Sequence, residues 1–148
     1  MIMTDRFINA NQSNDGQPTG AAAGADWLGG DLEGVTSKIQ SGYFADLGVN
    51  VLWLTPFNTN AQGTGLAADG VHDVSAFHGY WPIEPRQVDP RLGTADQLKD
   101  MVDAAHTAGI RVIMDYVVNH VHKDHIYYQD NPEWFNQGCI CGSENCDW

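Results

Sequence analysis

The sequence predicts an α/β fold built on a parallel sheet. Residues 49–54 and 110–114 are apolar runs rich in branched side chains, as in strands that are buried on both faces. A stretch with helical spacing of apolar residues precedes each run. Counting a short strand over residues 2–7, the order is β, α, β, long loop, α, β. Such alternation implies parallel strands joined by right-handed crossovers. Three strands are too few to close a barrel, so we expect them to be part of a larger fold.

Composition limits the class of protein and the class of partner. The chain has 148 residues, enough for one ordinary domain, and 43% of them are hydrophobic, which can supply a core. The net charge of −12, from 19 acidic and 7 basic side chains, argues against binding to nucleic-acid backbones or to anionic membranes. No stretch approaches the roughly 20 apolar residues of a membrane span. No signal peptide is visible at the start of the sequence.

A polar loop over residues 9–16, with the sequence NANQSNDG, is dense in amide and carboxylate oxygens. An ordinary turn accounts for it, because Asn, Asp and Gly favour turns for backbone reasons alone. The alternative is a calcium loop, because hard cations prefer several oxygen ligands, although the spacing does not match an EF-hand. Residues 17–30 are rich in Gly and Ala and predict an irregular surface loop.

The first predicted helix spans residues 32–47. Asp31 is placed to cap it, and Gly48 ends it. Its apolar face is formed by Val35, Ile39, Tyr43, Phe44 and Leu47. The strand over residues 49–54 follows and stops at Thr55-Pro56.

A long glycine-containing loop is predicted over residues 58–76, and loops of that length are usually functional or disordered. The motif HGYWP at residues 78–82 comes next. It is either a platform on which a sugar stacks or ordinary aromatic packing at the base of a loop. The second helix is capped by Thr94, with Gln97 in place for a capping box, and Gly109 closes it.

Polar side chains follow the last predicted strand. Asp115 comes directly after the apolar run, and Asn119 and His120 follow four and five residues later. Parallel strands deliver such side chains to their carboxyl edge, where α/β folds place their chemistry. A capping Asp and a loop His are the structural alternative.

Four segments, taken together and in this order, resemble the α-amylase family of glycoside hydrolases (family 13). They are TDRF at residues 4–7, GYFADLGVNVLWLTPF at 42–57, HGYW at 78–81 and DYVVNH at 115–120. The resemblance implies that residues 1–120 form the N-terminal part, about three strands and two helices, of a (β/α)8 TIM barrel. Residues 121–148 would then begin the inserted domain B.

The resemblance also implies roles for residues at the strand edge. Asp115 matches a supporting carboxylate that orients an arginine near the nucleophile, and Asn119 matches a ligand of the calcium between barrel and domain B. His120 matches an imidazole that hydrogen-bonds the sugar. Tyr80 matches the aromatic residue that stacks under that sugar, with His78 beside the same subsite.

The polar loop resembles the second calcium site of cyclodextrin glucanotransferases and their amylase relatives, where a DxNxxNN-like loop and a GGD segment supply the ligands. The matching positions are Asn9, Asn11, Asn14, Asp15, Gly29 through its carbonyl, and Asp31. Asn9 stands where those relatives often have Asp, which lowers the charge at that position.

The activity implied by the resemblance is cleavage of α-1,4-glucosidic bonds in starch and maltooligosaccharides with retention of configuration. A transglycosylase of the same family is the alternative. The family's nucleophilic Asp, its acid/base Glu and its third Asp lie on later strands. We therefore expect this chain alone to be inactive and to need the C-terminal remainder of the enzyme, in one polypeptide or as a second chain.

The C-terminal tail leaves two metal alternatives open. Residues 120–125, HVHKDH, fit the HxHxDH zinc signature of the metallo-β-lactamase superfamily, which would make the protein a zinc hydrolase. Cys139, Cys141 and Cys146 indicate either a disulfide with one remaining thiol or a structural zinc site. The cysteines and the family together imply a secreted or periplasmic protein.

Overall fold

The computed structural model describes residues 1–136 of the chain. Helices and strands follow one another along that range, with five strands in succession between the second and third helices. In chain order they are α1 (Leu32–Gln40), α2 (Tyr43–Asp46), β1 (Val51–Leu54), β2 (Asn58–Asn60), β3 (Thr64–Leu66), β4 (Asp73–Ser75), β5 (Pro82–Val88), α3 (Ala95–Thr107), β6 (Arg111–Met114) and α4 (Ile126–Asp130). Short 3₁₀ turns lie at Thr4–Arg6 and Pro132–Trp134. No helix within residues 1–136 is long and apolar enough to cross a membrane.

Strands β1 and β6 form the parallel pair that was predicted. Leu54 stands opposite Met114, so both strands end at the same edge. Ile2 adds a single parallel bridge to Leu54. The strand predicted over residues 2–7 is otherwise wrong, because the backbone turns into the 3₁₀ segment Thr4–Arg6 directly after that bridge.

Helices α1 and α3 pack on each other and on one face of this strand pair. Leu52 and Leu54 of β1 are buried in one cluster with Val35, Met101 and Ala105. Burial stabilises each large apolar side chain by about 1.5–3 kcal/mol relative to leaving it in water. The cluster therefore fixes the sheet, and with it the position of the strand ends.

The opposite face of the strand pair is open within the described residues. Val51 is 39% exposed, Trp53 44% and Ile113 49%. The expectation that both strands are buried on two faces is thus wrong for residues 1–136, because the two long helices lie on the same side. Apolar side chains on both faces still indicate a surface that a larger fold would cover.

The helix predicted over residues 32–47 is two helices. Helix α1 ends at Gln40, and Gly42 has φ +80, a left-handed conformation that breaks the helix before α2 begins. The apolar spacing nevertheless continues across the break, since Phe44 is buried in the same core as Ile39. The pattern therefore identified the buried Val35, Ile39 and Phe44 correctly, but it was wrong for Tyr43 and Leu47, which are exposed beyond the break.

The long loop predicted over residues 58–76 contains paired strands. Strand β2 pairs with β5 in antiparallel orientation, and β3 pairs with β4 as a hairpin. Three-residue strands carry too little alternation to be recognised from sequence. Strand β5 and helix α4 were also not predicted. Helix α3 has the predicted capping box, with reciprocal bonds between Thr94 and Gln97.

Candidate functional site

The strongest cluster of polar side chains lies at the carboxyl edge of β1 and β6. Because the two strands end in register, Asp115 follows directly at that edge, and its backbone amide lies 3.4 Å from the carbonyl oxygen of Leu54. The segment of residues 78–81, between β4 and β5, crosses the same edge. Side chains predicted from separate motifs are therefore brought together.

Tyr80 and Asp115 are directly bonded. The Tyr80 hydroxyl donates to Asp115 Oδ2 over 2.6 Å, across 35 residues of sequence. This hydrogen bond, with burial second, raises the pKa of the Tyr80 phenol to about 12. Tyr80 is thus a neutral donor at ordinary pH, and the bond fixes both the orientation of its ring and that of the carboxylate.

His120 lies against the same residue through its backbone. The Nε2 atom of His120 is 2.9 Å from the Tyr80 carbonyl oxygen. A carbonyl oxygen only accepts, so Nε2 carries the proton. In the neutral ring Nδ1 is then the acceptor, ready for a hydroxyl donor.

His78 completes the cluster on the other side of Tyr80. Its Nδ1 accepts from the Tyr80 amide over 3.0 Å, and its ring stacks on the Tyr80 ring with centroids 5.9 Å apart. Burial, followed by the charges of Arg6 and His120, lowers the pKa of His78 to about 4. The ring is therefore neutral near pH 7, with Nε2 as its remaining donor.

Gly79 allows His78 and Tyr80 to face the same way. It has φ +88, and a Cβ there would lie 2.3 Å from the carbonyl oxygen of Pro56, which follows β1. Trp81 packs edge-on against the His78 ring, with centroids 5.0 Å apart, and over Gly65, and its amide donates to the side chain of Asn60. The motif therefore needs a glycine at its centre for steric reasons.

Asn119 is exposed beside His120. No contact joins it to the cluster in the part of the chain that the structure describes. Its side-chain oxygen is accessible to a group from outside residues 1–136. The role of Asn119 as a calcium ligand stays a prediction.

The polar loop forms a second cluster, closed by Gly29. Asn9 Nδ2 is 2.9 Å from both carboxylate oxygens of Asp15. Gly29 has φ +84, and a Cβ there would lie 2.3 Å from Asn9 Nδ2 and 2.5 Å from Asp15 Oδ1. Only a glycine therefore fits at position 29. The carboxylate of Asp15 thus lies directly against Asn9, so an acidic side chain remains next to position 9.

Asp31 ties the loop to helix α1. Its Oδ1 caps the helix by accepting from Gly34 over 2.6 Å. Its Oδ2 accepts from the amides of Ala10 and Asn11 over 3.0 and 2.7 Å. The predicted cap is confirmed, and these three bonds leave Asp31 little further capacity as an acceptor.

The chemistry of this loop fits a hard cation. The side-chain oxygen of Asn14 is buried and has no hydrogen-bond partner within residues 1–136, which is costly unless another group satisfies it. The carboxylate of Asp15 lies in the same loop. Amide and carboxylate oxygens of this kind are the ligands that calcium prefers.

The zinc signature does not form a metal cluster here. Within residues 1–136, no group of three or more His, Cys, Asp or Glu side chains is close enough to hold a metal ion. His125 Nδ1 accepts from the Tyr127 amide, and His122 Nδ1 accepts from the Asp124 amide. The three cysteines, Cys139, Cys141 and Cys146, lie outside the described residues, as does the last part, residues 137–148, of the predicted start of domain B.

Two basic residues with structural contacts in this region were not singled out from sequence. Arg6 bonds Asp5 and the carbonyl oxygens of Gly24 and Asp26. Arg91 reaches the polar loop from the turn after β5. Neither residue could be recognised from its neighbours in the sequence. Apart from the contact between Arg6 and Asp5, all of these contacts span many residues of sequence.

Comparison with known proteins gives consistent matches. The family model described as the alpha amylase catalytic domain matches residues 1–139. Cyclomaltodextrin glucanotransferase of Paenibacillus macerans is 32% identical over 155 residues, which cover 99% of this chain and 21% of that protein. The alpha-amylase of Geobacillus thermoleovorans, solved with acarbose, is 37% identical with a TM-score of 0.66, over 90% of this chain and 25% of that one.

A second solved structure, the γ-cyclodextrin glucanotransferase of an alkalophilic Bacillus clarkii, is 32% identical with a TM-score of 0.71. That match covers 82% of this chain and 18% of the other. The chain thus spans 21% of the length of the first curated relative.

Proposed function

Since this chain belongs to the α-amylase family, whose catalytic-domain model matches residues 1–139, we propose that the complete enzyme acts on α-1,4-linked glucans such as starch and maltooligosaccharides. The observation that carries the proposal is the 2.6 Å bond between Tyr80 and Asp115. It joins two family-like segments into one wall at the carboxyl edge of parallel strands, where barrel enzymes place their sites.

Each side chain of this wall suits a neutral sugar. The Tyr80 ring supplies a flat apolar surface, and its hydroxyl is already used by Asp115, so the ring cannot easily rotate away. His78 then offers an uncharged imidazole to sugar hydroxyls, and His120 offers the ring nitrogen that does not bond Tyr80. The role of Asp115 in this wall is to hold Tyr80 through their hydrogen bond.

Retaining hydrolysis needs two carboxyl groups about 5 Å apart, one as nucleophile and one as acid and then base. Within residues 1–136, Asp115 is the carboxylate bonded to the sugar-binding wall, and no second carboxylate is hydrogen-bonded there. We therefore propose that the 148-residue chain alone does not cleave starch, and that the remaining catalytic groups come from further parts of the enzyme.

Two activities are compatible with this wall. Curated relatives include both cyclomaltodextrin glucanotransferases and an alpha-amylase from Niallia circulans. Transglycosylation by a glucanotransferase-like enzyme is the second candidate. Chromatography of the products from soluble starch separates the two, because hydrolysis yields linear oligosaccharides and transglycosylation yields cyclic ones.

We also propose that the polar loop binds calcium. Asn14 supplies a buried oxygen without a partner, Asp15 supplies charge, and Gly29 permits the close approach of the two chain segments. The metal would connect these two segments and so stabilise the folded chain. Asn119 would contribute to a separate calcium between the barrel and domain B.

Chelation tests the calcium proposal. EDTA should lower the melting temperature of the native chain, because a ligand at about 100 times its dissociation constant adds about 2.7 kcal/mol of stability. Asp15→Asn should weaken calcium binding in calorimetric titrations by about tenfold or more, because it removes the loop's charge. Asp46→Asn, an exposed change elsewhere, is the matched control. Equal affinities in all three proteins would contradict the proposal.

We propose a secreted or periplasmic location, since starch is too large to enter cells. Cell fractionation with an antibody against the protein tests this, and an exclusively cytoplasmic signal would contradict it.

A further inference from the structure

The polar loop is held from a distant part of the chain. The guanidinium of Arg91 donates through Nη1 to the carbonyl oxygen of Asp15 and through Nη2 to that of Gln17, the latter over 2.7 Å. Both contacts span more than 70 residues of sequence. One planar cation therefore binds two carbonyls on either side of Gly16, at the end of the loop.

Arg91 is itself fixed by its surroundings. Its Cζ lies 5.3 Å from the centre of the Trp27 ring, and its amide donates to Asp89 Oδ1 over 3.0 Å. Asp89 is fully buried and also accepts from the Asn60 amide over 2.9 Å. The guanidinium is therefore presented by a rigid turn, so that it can act as a fixed point for the loop.

Gly16 lets the guanidinium come this close. It has φ +70, and a Cβ at this position would lie 2.8 Å from Arg91 Cζ. Any other residue here would meet both a strained backbone and a clash with the guanidinium. The side chain of Asp15 meanwhile belongs to the cluster with Asn9.

We propose that Arg91 is a positioning residue for the polar loop, which it holds in a ligand-ready conformation before any metal arrives. The inference rests on the proposed calcium site for its functional meaning. Fixing loop backbone costs conformational entropy, and a loop that is already fixed binds its ligand more tightly. Arg91 binds the backbone carbonyls of Asp15 and Gln17 and therefore does not itself occupy the side-chain oxygens of the loop.

Hydrogen–deuterium exchange tests this positioning without reference to activity. In chelator, Arg91→Met should speed exchange of the amides at residues 11–17 and leave those of helix α3 unchanged. Saturating calcium should restore much of the protection. Arg86→Met is the control, because Arg86 is exposed, and its contacts are with Glu84 at 3.0 Å and with the Tyr127 ring rather than with the polar loop. Unchanged exchange at residues 11–17, or faster exchange throughout the chain, would overturn the proposal.

Calcium titration gives the second readout. Arg91→Met should weaken calcium binding by about tenfold, as expected when a site loses its preorganisation. Arg91→Lys should fall between Met and the native protein, because an ammonium keeps the charge but lacks the planar fork that spans two carbonyls. Affinities equal to that of the native protein in both variants would overturn the proposal. Absence of calcium binding in the native chain would instead refute the calcium site, whereas the exchange data would still decide the role of Arg91 in holding the loop.

Discussion

The low pKa of His78 makes a quantitative prediction about stability. Burial and the neighbouring charges hold that pKa at about 4 in the folded chain, whereas an unfolded histidine titrates near 6.5. Between these values the unfolded state binds a proton that the folded state does not. The contribution of His78 to stability is therefore complete above about pH 6.5 and is lost as the pH falls toward 4.

The size of the effect follows from the two pKa values. Lowering the pH from about 7 to about 5 should remove about 2 kcal/mol of unfolding free energy through His78 alone. Other groups also contribute. Burial raises the pKa values of Asp5 and Asp89, which opposes the loss, and lowers those of His122 and His125, which adds to it. The contribution of His78 must therefore be taken as a difference between proteins.

Urea denaturation of the native chain and of His78→Asn at both pH values provides that difference. Asparagine keeps an acceptor for the Tyr80 amide but does not titrate. The native chain should lose about 2 kcal/mol more than the variant on acidification. Equal losses, or a His78 pKa near its ordinary value in an NMR titration, would refute the account of a buried neutral imidazole.

Two further predictions concern the same wall. Backbone strain at a positive φ costs about 1–3 kcal/mol by itself. Gly79→Ala should destabilise the chain by more than this, because it adds a clash with the carbonyl of Pro56. Gly20→Ala is the matched control, since Gly20 has the same φ of +88 with open space around it; equal losses in urea denaturation would contradict the steric argument. Tyr80→Phe keeps the ring but removes the bond to Asp115 and should weaken glucan turnover by the complete enzyme about tenfold, chiefly through the loss of ring orientation. An unchanged kcat/KM would contradict this role.

Local patterns in the sequence predicted those parts of the fold that local interactions determine. The capping box of Thr94 and Gln97 and the cap at Asp31 both depend on neighbours within three residues, and both were found. The predicted α/β fold of the α-amylase type is confirmed by the family match and by the solved relatives. The break at Gly42 was missed because the apolar spacing continues through it.

The candidate site likewise has parts that the sequence predicted and parts that it could not predict. HGYW and DYVVNH were recognised separately, and the register of two parallel strands explains why they meet. The hydrogen bond between Tyr80 and Asp115 needs that register and could not be predicted from either motif alone. Arg91 was missed, since its contacts with Asp15 and Gln17 cross most of the chain.

The most direct test is the rate at which the complete enzyme releases products from soluble starch, with and without the His120→Asn substitution. We expect the native enzyme to produce linear or cyclic α-1,4-glucans, and we expect the variant to have kcat/KM lowered by about tenfold or more, since it would lose the imidazole that we propose bonds the sugar. An enzyme without activity on α-1,4-glucans, or a variant as active as the native protein, would contradict it.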